Sequence, residues 1–146
     1  MRESKPEKTW IVVLDPGRAV FLARNDADRS VSVVHQIEDP EGRARGRKRG
    51  STLSGSRPVS SSEVSPHEEA RHRLNHGVAR FLDRAQEAGT VSYLVLIGEP
   101  GVLGDVRNDL NAKVRKMIIR EIHRDWTHRK GEGLLRQAAQ VFEEHR

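Results

Sequence analysis

From Asp39 to Ser65 the chain offers a fold almost nothing to bury. Residues 42–50 read GRARGRKRG, in which Arg43, Arg45, Arg47, Lys48 and Arg49 stand with no acid among them. STLSGSRPVSSSEVS follows, rich in Ser and Gly and nearly empty of bulky apolar side chains. Such a composition cannot bury enough surface to offset the entropy of ordering it. It predicts a long, mobile, basic loop over 39–65, so any core must be assembled from the segments on either side. A structureless stretch of this length inside one domain is uncommon, and is usually functional or disordered. The five cations of the block equal the whole formal net charge of +5.

Before the loop the hydrophobic runs are short. Thr9–Leu14 (TWIVVL) and Arg18–Ala23 (RAVFLA) are β-branched or aromatic stretches, separated by Asp15-Pro16-Gly17, whose Pro and Gly favour a turn. Asn25–Asp28 is a second polar turn, and Val31–Ile37 (VSVVHQI) a third run. Three strands on short turns predict an antiparallel meander.

After the loop the period changes. Ser65-Pro66-His67-Glu68 offers a capping Ser, a Pro at the first helical position and a Glu three residues after the cap. Leu74, Val78, Phe81, Leu82 and Ala85 then recur at helical spacing until Gly89, a C-terminal stop. Val91–Ile97 (VSYLVLI) is nearly continuous in apolar residues, the mark of a strand buried on both faces. Leu103, Val106 and Leu110 make a second amphipathic helix. Lys116–His123 is ambiguous: Met117, Ile118 and Ile122 would suit a helix, but a crossover at this point requires a strand, and the strand is preferred. Leu134, Leu135, Ala138, Val141 and Phe142 form a last helix.

The predicted fold class is α/β, in the order β-β-β-α-β-α-β-α. That order gives a mixed sheet with helices on its faces and a long basic loop after the third strand. It is the ribonuclease H-like order, in a single domain over 1–146. With 35% hydrophobic residues, the chain affords a core only if part of it stays outside. No run approaches the ~18 apolar residues of a membrane span, and no signal peptide is evident. Cysteine is absent, which removes disulfides, thiolate catalysis and Cys-ligated metal centres and fits a cytoplasmic protein.

The stretches TWIVVLDPGRAVFLA, HEEARHRLNHGVARFLDRAQEAG, YLVLIGEPGVLGDVRNDL and REIHRDWTH resemble the bacterial host attachment protein family. That family is in turn similar to the middle domain of archaeal and eukaryotic class-I peptide-chain release factors. The resemblance covers nearly the whole chain except 39–65. It implies a translation-factor-like domain in which the loop before the first long helix enters the ribosome. In the release factors that loop carries a Gly-Gly-Gln tripeptide. This chain has no Gln between Gln36 and Gln86, so the resemblance does not extend to peptidyl-tRNA hydrolysis.

Several motifs invite chemistry and are better read otherwise. Gly50–Gly55 has the glycine spacing of a phosphate-binding loop, but Ser56-Arg57 follows where Lys-Ser/Thr is required. Gly98, Gly101 and Gly104 lie between a strand and a helix, where backbone N–H groups can meet an anion. Their spacing is not that of a dinucleotide site, and Glu99 repels phosphate, so a closely packed turn is expected. His67-Glu68-Glu69-Ala70-Arg71-His72 is one residue too long for a zinc-protease motif, its imidazoles about 140° apart on a helix. His72 and His76, at i and i+4, can chelate but have no evident third ligand. Asp15-Pro16-Gly17 resembles the opening of Holliday-junction resolvases, metal nucleases of the ribonuclease H-like class. Two-metal chemistry needs three or four converging carboxylates. Glu99 is the one good second candidate, with Glu68, Glu69 and Asp125 unplaced. A role for Asp15 in the hairpin turn is preferred.

These readings favour a protein that binds and does not catalyse, with no cofactor and no metal site. Its nucleic-acid-binding residues are Arg43, Arg45, Arg47, Lys48 and Arg49, and its partner is RNA or the ribosome. With no aromatic residue in the loop to stack on bases, binding should be electrostatic and nearly independent of sequence. The alternative is a metal-dependent nuclease using Asp15 and Glu99.

Overall fold

The computed structural model describes residues 8–24, 28–39, 66–124 and 131–144. Five strands form one mixed sheet in the order β3-β2-β1-β4-β5: β1 (Thr9–Asp15), β2 (Arg18–Arg24), β3 (Val31–Glu38), β4 (Tyr93–Gly98) and β5 (Ile118–His123). The first three make an antiparallel meander; β4 lies parallel to β1, and β5 parallel to β4. The helices are α1 (Pro66–Ala88), α2 (Pro100–Asp109), α3 (Ala112–Lys116) and α4 (Gly131–Glu144).

The period of two in the central strands divides their side chains between two cores. Trp10, Val12, Leu14, Ala19, Phe21, Leu94 and Leu96 pack against Leu74, Val78 and Leu82 of α1 and Leu103 and Val106 of α2. Ile11, Val13, Val20, Leu22, Val95 and Ile97 pack against Leu134, Ala138, Val141 and Phe142 of α4 on the other side. The result is three layers, with α1, α2 and α3 on one face of the sheet and α4 on the other. Leu94, Leu96 and Ile97 are wholly buried and Val95 almost so, as a strand with helices on both faces requires.

The helix boundaries have identifiable causes. At the end of α1, Gly89 takes the left-handed conformation (φ 74°), its N–H donates to the Gln86 carbonyl, and the Thr90 N–H donates to the Ala85 carbonyl. This is a Schellman closure, for which Gly is the favoured residue. The segment after α2 corrects the sequence reading. Leu110 follows the helix as its cap, and a five-residue helix, α3, occupies 112–116, so β5 begins at Ile118 and not at Lys116. Asn111 nucleates α3: its side chain accepts the Val114 N–H at 2.8 Å, while its amide donates to Asp83 of α1. Strand β4 likewise starts at Tyr93, with Val91 buried just before it.

Both edge strands are bulged. Between Phe21 and Leu22 the β3 partners step from His35 to Val33, and between Leu94 and Val95 the β5 partners step from Ile118 to Arg120. Val34 and Ile119 are the extra residues, and together with Val33 they are the large apolar side chains left exposed among the described residues. A bulge at each edge disrupts the regular ladder that another strand would need.

Candidate nucleic-acid interface

Strands β1, β3, β4 and β5 all run the same way, so their carboxyl ends gather at one end of the sheet. Open α/β sheets bind ligands in the crevice outside these ends. Here the end is built from the β1–β2 turn, the exit of β3, the start of α1, and the ends of β4 and β5.

Asp15 shapes the turn. Its carboxylate accepts the Gly17 N–H at 2.7 Å and lies 3.9 Å from the Arg18 guanidinium, with both side chains buried. Asx-type closure of this kind is a structural task, and it accounts for an acid at the end of a strand. Glu99 sits at the N-terminal cap of α2 but makes no side-chain capping bond, and it is exposed. Glu68 and Glu69 are exposed in the first turn of α1. Among the described residues, no three His, Asp or Glu side chains come together in a cluster able to hold a metal ion. Asp125 and the side chain of His67 lie outside the described residues; His72 and His76 are exposed on α1.

Gly98 explains the glycine run between β4 and α2. A Cβ on it would stand 2.8 Å from the Leu14 carbonyl oxygen and 3.1 Å from Leu103 Cδ2. The position serves close packing of β4 against β1, as the sequence suggested, and Gly101 and Gly104 belong to α2 itself.

The five predicted contact residues, Arg43, Arg45, Arg47, Lys48 and Arg49, lie outside the described residues, as does the Gly50–Gly55 motif. The anchors of the segment that bears them are described. At its start, the Asp39 N–H donates to the Gly17 carbonyl at 2.9 Å, and the Asp39 carboxylate receives Arg73 Nε of α1 at 3.1 Å. At its end, Pro66 begins α1 seven residues before Arg73, roughly 10 Å along the helix. Both anchors thus stand at the carboxyl end of the sheet. The Asp39–Arg73 tie spans 34 positions, and no local pattern announces it.

A three-layer α/β fold around a mixed five-stranded sheet is the class that the geometry defines. The solved structures it resembles include an archaeal translation termination factor, aRF1, with a TM-score of 0.54 at 14% identity, covering 94% of this chain and 37% of that one. Pelota from Archaeoglobus fulgidus gives a TM-score of 0.54 at 12% identity, covering 94% and 32%. The chain spans about a third of the length of these structures, and at such identity the likeness is one of fold. None of the curated proteins matches. The family is shown directly: the model of bacterial archaeo-eukaryotic release factor family 12 matches residues 8–136, and the chain belongs to that family. The release-factor likeness seen in the sequence is therefore confirmed at family level, under this designation and not under that of host attachment. Among the described residues no helix is long and apolar enough to cross a membrane.

Proposed function

We propose that this chain is a non-enzymatic RNA- or ribosome-binding module of the cytoplasm. It would act through Arg43, Arg45, Arg47, Lys48 and Arg49. The observation that supports the reading is the position of the described residues that flank their segment. Asp39 and the start of α1 both stand at the carboxyl end of the sheet, in a family named for release factors. The sheet order β3-β2-β1-β4-β5 supports grouping the domain with the ribonuclease H-like folds. Hydrolysis of peptidyl-tRNA is not part of the proposal, because residues 37–85 contain no Gln. Any role in host attachment would be a distant consequence of this binding.

Sedimentation with ribosomes, and fluorescence anisotropy with a labelled oligouridylate, test the reading. Five phosphate contacts to a single strand give a log–log salt slope of roughly −3.5, about a hundredfold loss of affinity between 50 and 200 mM salt. Replacing the five residues with Ser should remove this share of the slope and leave the melting temperature nearly unchanged. Absence of binding at 50 mM salt would refute the proposal. Cleavage of structured RNA or DNA with magnesium or manganese, abolished by Asp15→Asn, would instead establish the nuclease alternative.

A further inference from the structure

The described residues outside 112–124 hold ten Lys and Arg against fourteen Asp and Glu. Residues 112–124 hold Lys113, Arg115, Lys116, Arg120 and Arg124 against the single acid Glu121. The described residues are thus neutral in total, but their charge is segregated. The cationic share lies on α3 and β5, one edge of the sheet, while the other described residues are acidic on balance.

The structure places these cations along one edge of the sheet, the α3 cations in the layer of α1 and α2 and Arg120, paired with Val95, on the α4 side. All five are exposed, and β5 is the last strand on its side of the sheet. The acid among them is already paired. Glu121 pairs with Leu96, whose side chain faces α1 and α2, so Glu121 projects toward that layer and is bonded there by Arg107 of α2. Its charge is offset by Arg107, with His123 Nε2 3.9 Å from its other oxygen. Arg124 is fixed at the upper end of the row, its N–H donating to the Gly98 carbonyl at 3.1 Å. Lys113, Arg115 and Lys116 stand at the lower end, on a helix whose Val114 is wholly buried. Six strand residues between them extend for roughly 20 Å.

We propose that this edge is a second contact surface for the RNA phosphate backbone, in addition to the 42–50 block and carried by α3 and β5. The inference rests on the RNA-binding reading above. An acidic peptide shares the charge but fits the surface less well. A peptide would bind such an edge as an added strand, and the bulge at Ile119 interrupts the ladder it would need. A phosphate chain needs only spaced cations and no register. Side chains anchored on a strand and a packed helix lose little beyond their own rotamer freedom on binding.

The test uses the full chain and a labelled oligouridylate. Lys113, Arg115 and Lys116 are replaced together by Gln, which keeps helix propensity and touches no ion pair among the described residues. If all three contact phosphates, the salt slope should shrink by about 2, so the loss of affinity between 50 and 200 mM salt becomes about twentyfold smaller. The replacement of the 42–50 cations by Ser should leave the contribution of the edge in place. An unchanged slope in the triple variant, with a wild-type melting temperature and the wild-type chain binding RNA, overturns the edge and leaves the loop reading intact. No binding by the wild type at 50 mM salt overturns both. If the triple variant loses affinity for oligoglutamate but not for RNA, the edge takes acidic peptides and the proposal is wrong.

Discussion

Two glycines six residues apart should respond to the same substitution with opposite signs. Gly98 ends β4 beside Leu14 of β1, and an added methyl would meet the Leu14 carbonyl oxygen at 2.8 Å and Leu103 Cδ2 at 3.1 Å. Leu103 can shift by a few tenths of an ångström, but the carbonyl belongs to the neighbouring strand and cannot retreat without disturbing the parallel β1–β4 ladder. Forcing a methylene-sized group into a packed site costs about 1–3 kcal/mol, and a backbone obstacle puts Gly98→Ala in the upper half of that range. For a folded region of this size, 1 kcal/mol moves the melting temperature by about 4 °C, so a fall of roughly 8–12 °C is expected. Gly104 lies inside α2, where an added Cβ meets nothing nearer than Arg107 Nη2 at 3.7 Å. Gly104→Ala removes backbone freedom from the unfolded chain without a clash, and should raise the melting temperature by roughly 2–4 °C. Thermal unfolding followed by circular dichroism decides both. A fall of less than about 3 °C for Gly98→Ala would mean that β4 and β1 do not approach as described. A fall of similar size for Gly104→Ala would show that the effect is not local.

Further substitutions probe the turn, the pH response and the short helix. Asp15→Ala leaves the Gly17 N–H without its acceptor and strips the buried Arg18 of a carboxylate, a loss of about 3 kcal/mol by urea unfolding; Asp15→Asn, which keeps an acceptor, should lose about half as much. Asp28 accepts hydrogen bonds from the Ser30 N–H and hydroxyl, which hold its carboxyl below the ordinary value of 3.8, the backbone bond first. A depressed folded value means stability present above the unfolded pKa and lost as pH falls through the folded one. The urea midpoints of wild type and Asp28→Ala should therefore differ at pH 7 and converge below pH 3.8; a constant gap would refute the linkage. Asn111→Ala removes the cap of α3 and its bond to Asp83, for about 1–2 kcal/mol, and amide exchange should quicken through Val114 before it does in β4.

The sequence by itself determined the elements whose cause is local. Pro16-Gly17 between two apolar runs makes the hairpin, Pro66 and Gly89 bound α1, and the unbroken VSYLVLI run locates the central parallel strand. The 42–50 block was equally legible as charge, although its residues lie outside the described structure. What the sequence left undecided depends on neighbours far along the chain. Val31, Val33, His35 and Ile37 alternate as if they shared one face of β3. The bulge at Val34 divides them: Val31 packs toward α4, while His35 lies flat on Phe81 of α1 at 4.1 Å and Ile37 packs beside it. Both faces of the sheet carry a helix, so the edge strand supplies apolar groups to both, and an extra residue is how a period of two changes sides. The same reason governs 112–123. Its apolar residues suit helix or strand equally, and the cap from Asn111 together with pairing against β4 turns the first part into α3 and the second into a bulged edge. That division turns Glu121 toward Arg107 and leaves the Lys and Arg of this segment exposed, a surface that no local reading of charge separates from an ordinary solvated helix.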